Sequence, residues 1–283
     1  MPRVRRALVP MLVLLLAQSA WAQGGAPAPN FAEPCPALYP GDDTDRERTA
    51  RWMARSAADR GLPRELPVMA GLAESGLRNL RGASYAGFFG MSRTLNRGEY
   101  RGFPRNPDLQ VRWFLDSAGL VRQRRVAEGR PDPAADDTAF GLWIADVERP
   151  ALENRSGYQR HLDQARELIG GKCAPPASDD SAPPRLRVRI AANPVIANSV
   201  AVQARCPDHD CLVGATVTIG GRTRRARAVE PAKSGYTTLT AAVPRAARRD
   251  LSEGRAVSAD VTVIAADDAA NTTARHRAVT LKR

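Results

Sequence analysis

No stretch of this 283-residue sequence approaches the roughly 20 consecutive apolar residues of a membrane-spanning helix; the most apolar segment, Ala7–Ala17, is about half that length. That excludes a stable helical span. Lysine is scarce, supplying three of the 42 bases, so the formal net charge of +12 is carried almost entirely by arginine. The basic C-terminal part lacks interleaved aromatic residues, which argues against nucleic-acid binding. Cysteine is limited to four residues, and no long internal repeat is visible.

What is present begins with an address. Arg3, Arg5 and Arg6 precede the apolar run, and Ala20-Trp21-Ala22 follows as an A-x-A cleavage site, so residues 1–22 read as a secretory signal peptide. The mature chain is then expected in the cell envelope or outside the cell. Its length favours two domains. The boundary falls in "APPASDDSAPP", Ala174 to Pro184, whose four prolines and lack of large apolar residues mark a solvated linker between residues 23–173 and 185–283. Cys35 and Cys173 flank the first domain, while Cys206 and Cys211 lie close together in the second. Export makes the pairs Cys35–Cys173 and Cys206–Cys211 the expected disulfides, the first worth about 3–5 kcal/mol in the loop-entropy account. A metal site at "CPDHDC", using Asp208, His209 and Asp210, is the sharper alternative to a clasp; neither a metal nor a cofactor is expected. Charge separates along the same boundary. Residues 23–184 hold 22 bases and 22 acids, whereas residues 185–283 hold 17 bases and 8 acids, a net of +9. An exported basic domain suits anionic wall polymers or membrane surfaces.

The first domain reads as helical. Thr44 and Glu47 form a capping-box pattern before Trp52, Met53 and Ala57; a second helix starts near Leu62-Pro63. Asn106-Pro107 opens a third through Trp113, Phe114 and Val121 to Gly129, and a fourth spans about Thr138 to Glu148. Tyr158, Leu162, Ala165 and Ile169 share one face of the last, which ends at Gly170-Gly171. Beyond the linker the period becomes two. "RLRVRIA", "SVAVQA", Ala215 to Ile219, Arg222 to Val229, Tyr236 to Val243, "VSADVTVIA" and Thr273 to Leu281 give about seven strands, the number of a small immunoglobulin-like sandwich.

The chemistry is concentrated in "LPVMAGLAESGLRNLRGASYAGFFGMS", Leu66 to Ser92. Leu66, Met69, Ala70 and Ala73 form an apolar helical stripe with Glu74 at its edge, so this carboxyl is expected to lie near the core and to resist ionisation. A carboxyl that keeps its proton is what a general acid needs to protonate a glycosidic oxygen. Gly87 and Gly90, around Phe88 and Phe89, are expected to let backbone approach a bulky ligand while the rings offer sugar-stacking faces.

"LPRELPVMAGLAESGL" and "YAGFFGM", followed by "NPDLQVRWFL" and "ENRSGYQRHLDQA", resemble in that order the lysozyme-like domain of soluble lytic transglycosylases and goose-type lysozymes, over roughly Leu62 to Ile169. The resemblance implies a mainly α lysozyme-like domain; the segment after the linker, with its Cys-x4-Cys clasp followed by "ATVTIGGRT", separately resembles the immunoglobulin-like modules of secreted bacterial surface proteins, a C-terminal all-β immunoglobulin-like sandwich. The lysozyme-like resemblance also implies cleavage of the β-1,4 bond between N-acetylmuramic acid and N-acetylglucosamine in peptidoglycan glycan strands, with Glu74 catalytic and Ser75, Gly87, Phe88, Phe89, Met91, Trp143 and Tyr158 around the substrate. Three positions depart from the pattern. Gly90 stands where the family's turn has glutamine, Trp143-Ile144 where it has Tyr-Asn, and Pro67 falls inside the catalytic helix, where it removes a backbone donor. A transglycosylase needs one carboxyl, first as acid and then as base on the sugar's own 6-hydroxyl; inverting hydrolysis needs a second, for which Glu99, Asp108, Asp146 and Glu148 are candidates. The rival expectation is a noncatalytic wall-binding or adhesion protein on the same scaffold.

Overall fold

The computed structural model describes residues 35–172, 182–191, 194–196, 198–207, 211–232 and 235–282. The expected signal peptide, residues 1–22, as well as Cys173, most of the expected linker and Asp208 to Asp210, lie outside the described residues.

Helix α1 (Arg46–Ala58) starts one residue later than the expected box: Asp45 is the cap, its carboxylate accepting from the Arg48 N–H at 2.6 Å. Helix α2 (Glu65–Ser75) ends at Gly76 with φ +64°, where the Leu77 N–H turns back to the Gly71 carbonyl at 2.9 Å. A small antiparallel sheet follows, β1 (Leu80–Arg81), β2 (Tyr85–Gly87) and β3 (Met91–Ser92), with Arg81 opposite Ala86 and Ala86 opposite Met91. Helix α3 (Pro107–Ala127) is capped by the Asn106 side chain, which accepts from the Asp108 and Leu109 N–H groups. Helix α4 (Phe140–Glu148) precedes a 3₁₀ segment, Leu152–His161, and helix α5 (Leu162–Ile169). Tyr158 therefore sits on the 3₁₀ segment and not on the closing α-helix. These elements enclose one core that includes Trp52, Leu66, Met69, Phe88, Phe114 and Trp143.

In the C-terminal half, β11 (Thr272–Leu281), β10 (Val257–Asp267), β7 (Cys211–Ile219) and β8 (Arg222–Val229) form one antiparallel sheet in that order. β4 (Arg187–Arg189), β5 (Val195–Ile196), β6 (Ser199–Arg205) and β9 (Thr237–Ala242) form the other, around β6. Alternate residues such as Val200, Val202, Val217, Leu239, Val261 and Val263 face a shared core. Cys206 is bonded to Cys211, joining the end of β6 to the start of β7. Cys35 is disulfide-bonded, its expected partner Cys173 lying outside the described residues.

The expected fold class is corrected on two counts. The helical half contains the β1-β2-β3 sheet, and the strand half contains helix α6 (Arg245–Ser252), which buries Ala247 and Leu251. The two halves also pack together. About 31 Å long, α3 reaches from the first core to the outer face of the β7-β8-β10 sheet. There Ala127 meets Leu212, Ala228 and Ala266, and Gln123 donates to the Ala266 carbonyl at 3.0 Å. Buried Glu128 accepts from the Ala228 N–H at 3.3 Å. A Cβ on Gly214 would stand 2.2 Å from the Ala127 carbonyl oxygen, so the close approach requires glycine. The chain is thus mixed α and β, not a mainly α unit tethered to an all-β one.

Candidate functional site

Glu74 occupies the last turn of α2 and is half-buried. Pro67 falls in the first turn of that helix, where backbone N–H groups have no intrahelical partner, so its missing donor displaces nothing. One oxygen of Glu74, Oε1, accepts the Tyr158 phenol at 2.5 Å across 84 residues of sequence. The other, Oε2, lies 3.5 Å from where a Cβ on Gly90 would be. Burial, the bond to Glu74 and the charges of Glu74 and Glu148 hold the Tyr158 phenol well above its ordinary range, so it stays a proton donor to the carboxyl.

Gly90 forms part of a cleft of about 430 Å³. Its walls come from Tyr85, Met91 and Ser92 of the small sheet and Phe89 in its β2–β3 turn, from Trp113, Leu120 and Arg124 of α3, and from Asp146, Glu148 and Arg149 at the end of α4. Tyr85 is 60 % exposed and Trp113 is partly exposed. These two rings, not the expected Phe88, Phe89 or Trp143, can offer faces to a sugar. Phe88 is buried against Trp52 and Tyr39; Phe89 lines the cleft but stacks on Phe114 at 4.7 Å between centroids. Trp143 is wholly buried and donates from Nε1 to the Ala118 carbonyl at 3.0 Å, so it shapes the core.

The other expected substrate residues have structural partners. Ser75 turns its hydroxyl back to the Gly71 carbonyl at 3.0 Å and accepts from the Arg78 N–H. Gly87, at φ +85°, leaves room for Gln110: a Cβ there would stand 2.5 Å from the Gln110 side chain. Gln110 is fully buried, accepting from the Phe88 N–H at 3.1 Å and donating to the Phe103 carbonyl and the Asn79 side chain. This knot, unread in the sequence, fixes the turn that carries Phe88 to Gly90.

Among the four candidate second carboxyls, Glu148 is the one whose charge state is coupled to Glu74. Burial first, and then the Glu74 charge, push its carboxyl up to about 9. Its Oε1 is closed to solvent and finds no hydrogen-bond partner among the described residues. Asp146 is held between Arg155 and Arg125. Glu99 pairs with Arg112 at 3.1 Å on the surface, and Asp108 is exposed at the first turn of α3. A second cavity, of about 420 Å³, involves Arg60, Asp116 and Asp268 and shares Leu120 of α3 with the cleft; its Asp116 is engaged by Tyr100, Arg60 and Arg112.

The site therefore combines a proton-holding carboxyl, a neighbouring carboxyl fixed by a phenol, two accessible rings and the cations Arg124 and Arg149. No family model matches the chain, and no curated protein matches it.

Proposed function

We propose that the protein cleaves the β-1,4 bond between N-acetylmuramic acid and N-acetylglucosamine in peptidoglycan, as an exported lytic transglycosylase. The observation that carries this reading is Glu74 itself: one oxygen is fixed by the Tyr158 hydroxyl and the other lies directly behind Gly90, a residue that lines an aromatic-bearing cleft. A phenol that donates to one carboxyl oxygen orients the other, and an oriented carboxyl can trade protons with a bound glycan. In the simplest form Glu74 protonates the glycosidic oxygen and then takes the proton of the muramic 6-hydroxyl as that oxygen closes on C1. Tyr85 and Trp113 provide stacking surface, and Arg124 and Arg149 suit the carboxylates of the peptide stems. The basic strand half, with Arg222, Arg224, Arg225, Arg227, Arg275 and Arg277 exposed, would hold the enzyme to anionic wall polymers.

Digestion of purified peptidoglycan, with products read by mass spectrometry, tests the reading. Anhydro-muramic ends are expected. Reducing ends would convert it to a hydrolase using Glu148 as the second acid, and intact glycan under conditions where another muramidase works would leave a noncatalytic wall binder.

A further inference from the structure

We infer that Glu148 is a second catalytic carboxyl, which delivers the proton to the leaving glycosidic oxygen while Glu74 serves as the base. This rests on the cleavage reading above and divides its two proton transfers between two residues.

The geometry separates the roles. Glu148 ends α4 and lines the cleft, where a saccharide bound in it would be within reach. Glu74 comes from α2 and reaches the same wall at Gly90. The groups around the pair do not treat the two carboxyls alike. Tyr158 gives its hydrogen bond to Glu74, which fixes the orientation of that carboxyl. Glu148 receives no such bond among the described residues, and one of its oxygens is sealed from water. The nearby cations do not restore the balance: Arg155 and Arg125 are committed to Asp146, while Arg124 and Arg149 line the cleft without a described ion pair to Glu148. The carboxyl that lines the cleft with an unpartnered oxygen, Glu148, is therefore the one placed to carry the proton to the substrate. Its raised proton affinity agrees.

The step then balances. The Glu148 proton passes to the glycosidic oxygen as the C1–O bond breaks, its electron pair going to that oxygen. The muramic O6 bonds to C1 and its proton goes to Glu74. No water is consumed, and exchange with solvent returns one proton from Glu74 to Glu148 for the next turnover.

The test compares wild type, Glu148→Gln and Glu148→Asp as full chains on purified peptidoglycan, with unfolding temperature checking each fold. Glu148→Gln should lose at least about 100-fold in turnover, the usual contribution of a general acid, and Glu148→Asp should lose less. A wild type that cuts while Glu148→Gln keeps its rate overturns the pair and leaves the single-carboxyl reading standing. A wild type that cuts nothing overturns the cleavage reading and this inference with it. Carbon-13 titration of the glutamate carboxyls gives a readout apart from turnover. One carboxyl should titrate far above the ordinary range, vanish in Glu148→Gln and fall in Glu74→Gln; ordinary titration of Glu148 would overturn the assignment.

Discussion

Replacing Glu148 by glutamine should stabilise the fold at neutral pH and do little for it in acid. In the folded chain this carboxyl holds its proton to about pH 9, against an ordinary value of 4.5. Between those values the unfolded chain releases a proton that the folded chain keeps, so the group's contribution becomes less favourable as pH rises through that window. At pH 7 the cost accumulated over about 2.5 pH units, at about 1.4 kcal/mol each, is about 3.4 kcal/mol. Glutamine has no proton to retain and removes that cost. Thermal unfolding of both proteins at pH 4 and pH 7 measures it. The variant's advantage should grow by roughly 7–14 °C between the two, at about 2–4 °C per kcal/mol for a chain of this size. An offset that is the same at both pH values would refute the burial and charge coupling assigned to Glu148.

Other perturbations probe the frame around the site. Gly214→Ala places a methyl group 2.2 Å from the Ala127 carbonyl and should lower the unfolding temperature by several degrees, because backbone must move; an unchanged value would mean the two halves do not pack as described. Gln110→Leu leaves the Phe88 N–H buried and unpaired and should cost about 2–4 kcal/mol in urea unfolding, with loss of activity through the displaced turn. Binding of the full chain to whole walls should weaken steeply between low salt and 0.5 M salt, since exposed charges are screened over about 10 Å already at 0.1 M; salt-independent binding would remove the electrostatic account.

Strong periodicity made much of the fold legible. The alternation of Val200 and Val202, and of Val257 to Val263, marks strands because one face of each is buried. Asn106-Pro107 and Gly129 mark the start and end of α3 through capping chemistry. The two- and three-residue strands β1 to β3 are too short to show a period, and α6 reads as polar because its burial rests on Ala247 and Leu251 alone. Those omissions, with the docking of α3 on the second sheet, misdirected the expected fold class. Gln123 and Glu128 look like solvated residues near a charged helix end until Ala266 and Ala228 cover them.

The site shows the same division. Glu74 and Tyr158 stood out in sequence, and the structure joins them by a hydrogen bond across 84 residues. Trp143 and Phe88 were read as ligand surface because an aromatic side chain in sequence carries no sign of which way it faces; both are in the core. Tyr85, by contrast, begins a strand whose next residue, Ala86, is buried, and that alternation was the available signal for an outward ring. Choosing Glu148 among four acids required burial and ion pairs, which follow from tertiary contacts alone.

The central claim is tested most directly by digesting one peptidoglycan preparation with wild type and with Glu74→Gln, matched for unfolding temperature and wall binding, and identifying the released glycan ends by mass spectrometry. Glutamine preserves the size of the side chain and can still accept the Tyr158 hydrogen bond, but it cannot exchange a proton with the sugar. The account predicts anhydro-muramic products from wild type and none from Glu74→Gln. Equal product release by the two proteins would contradict it.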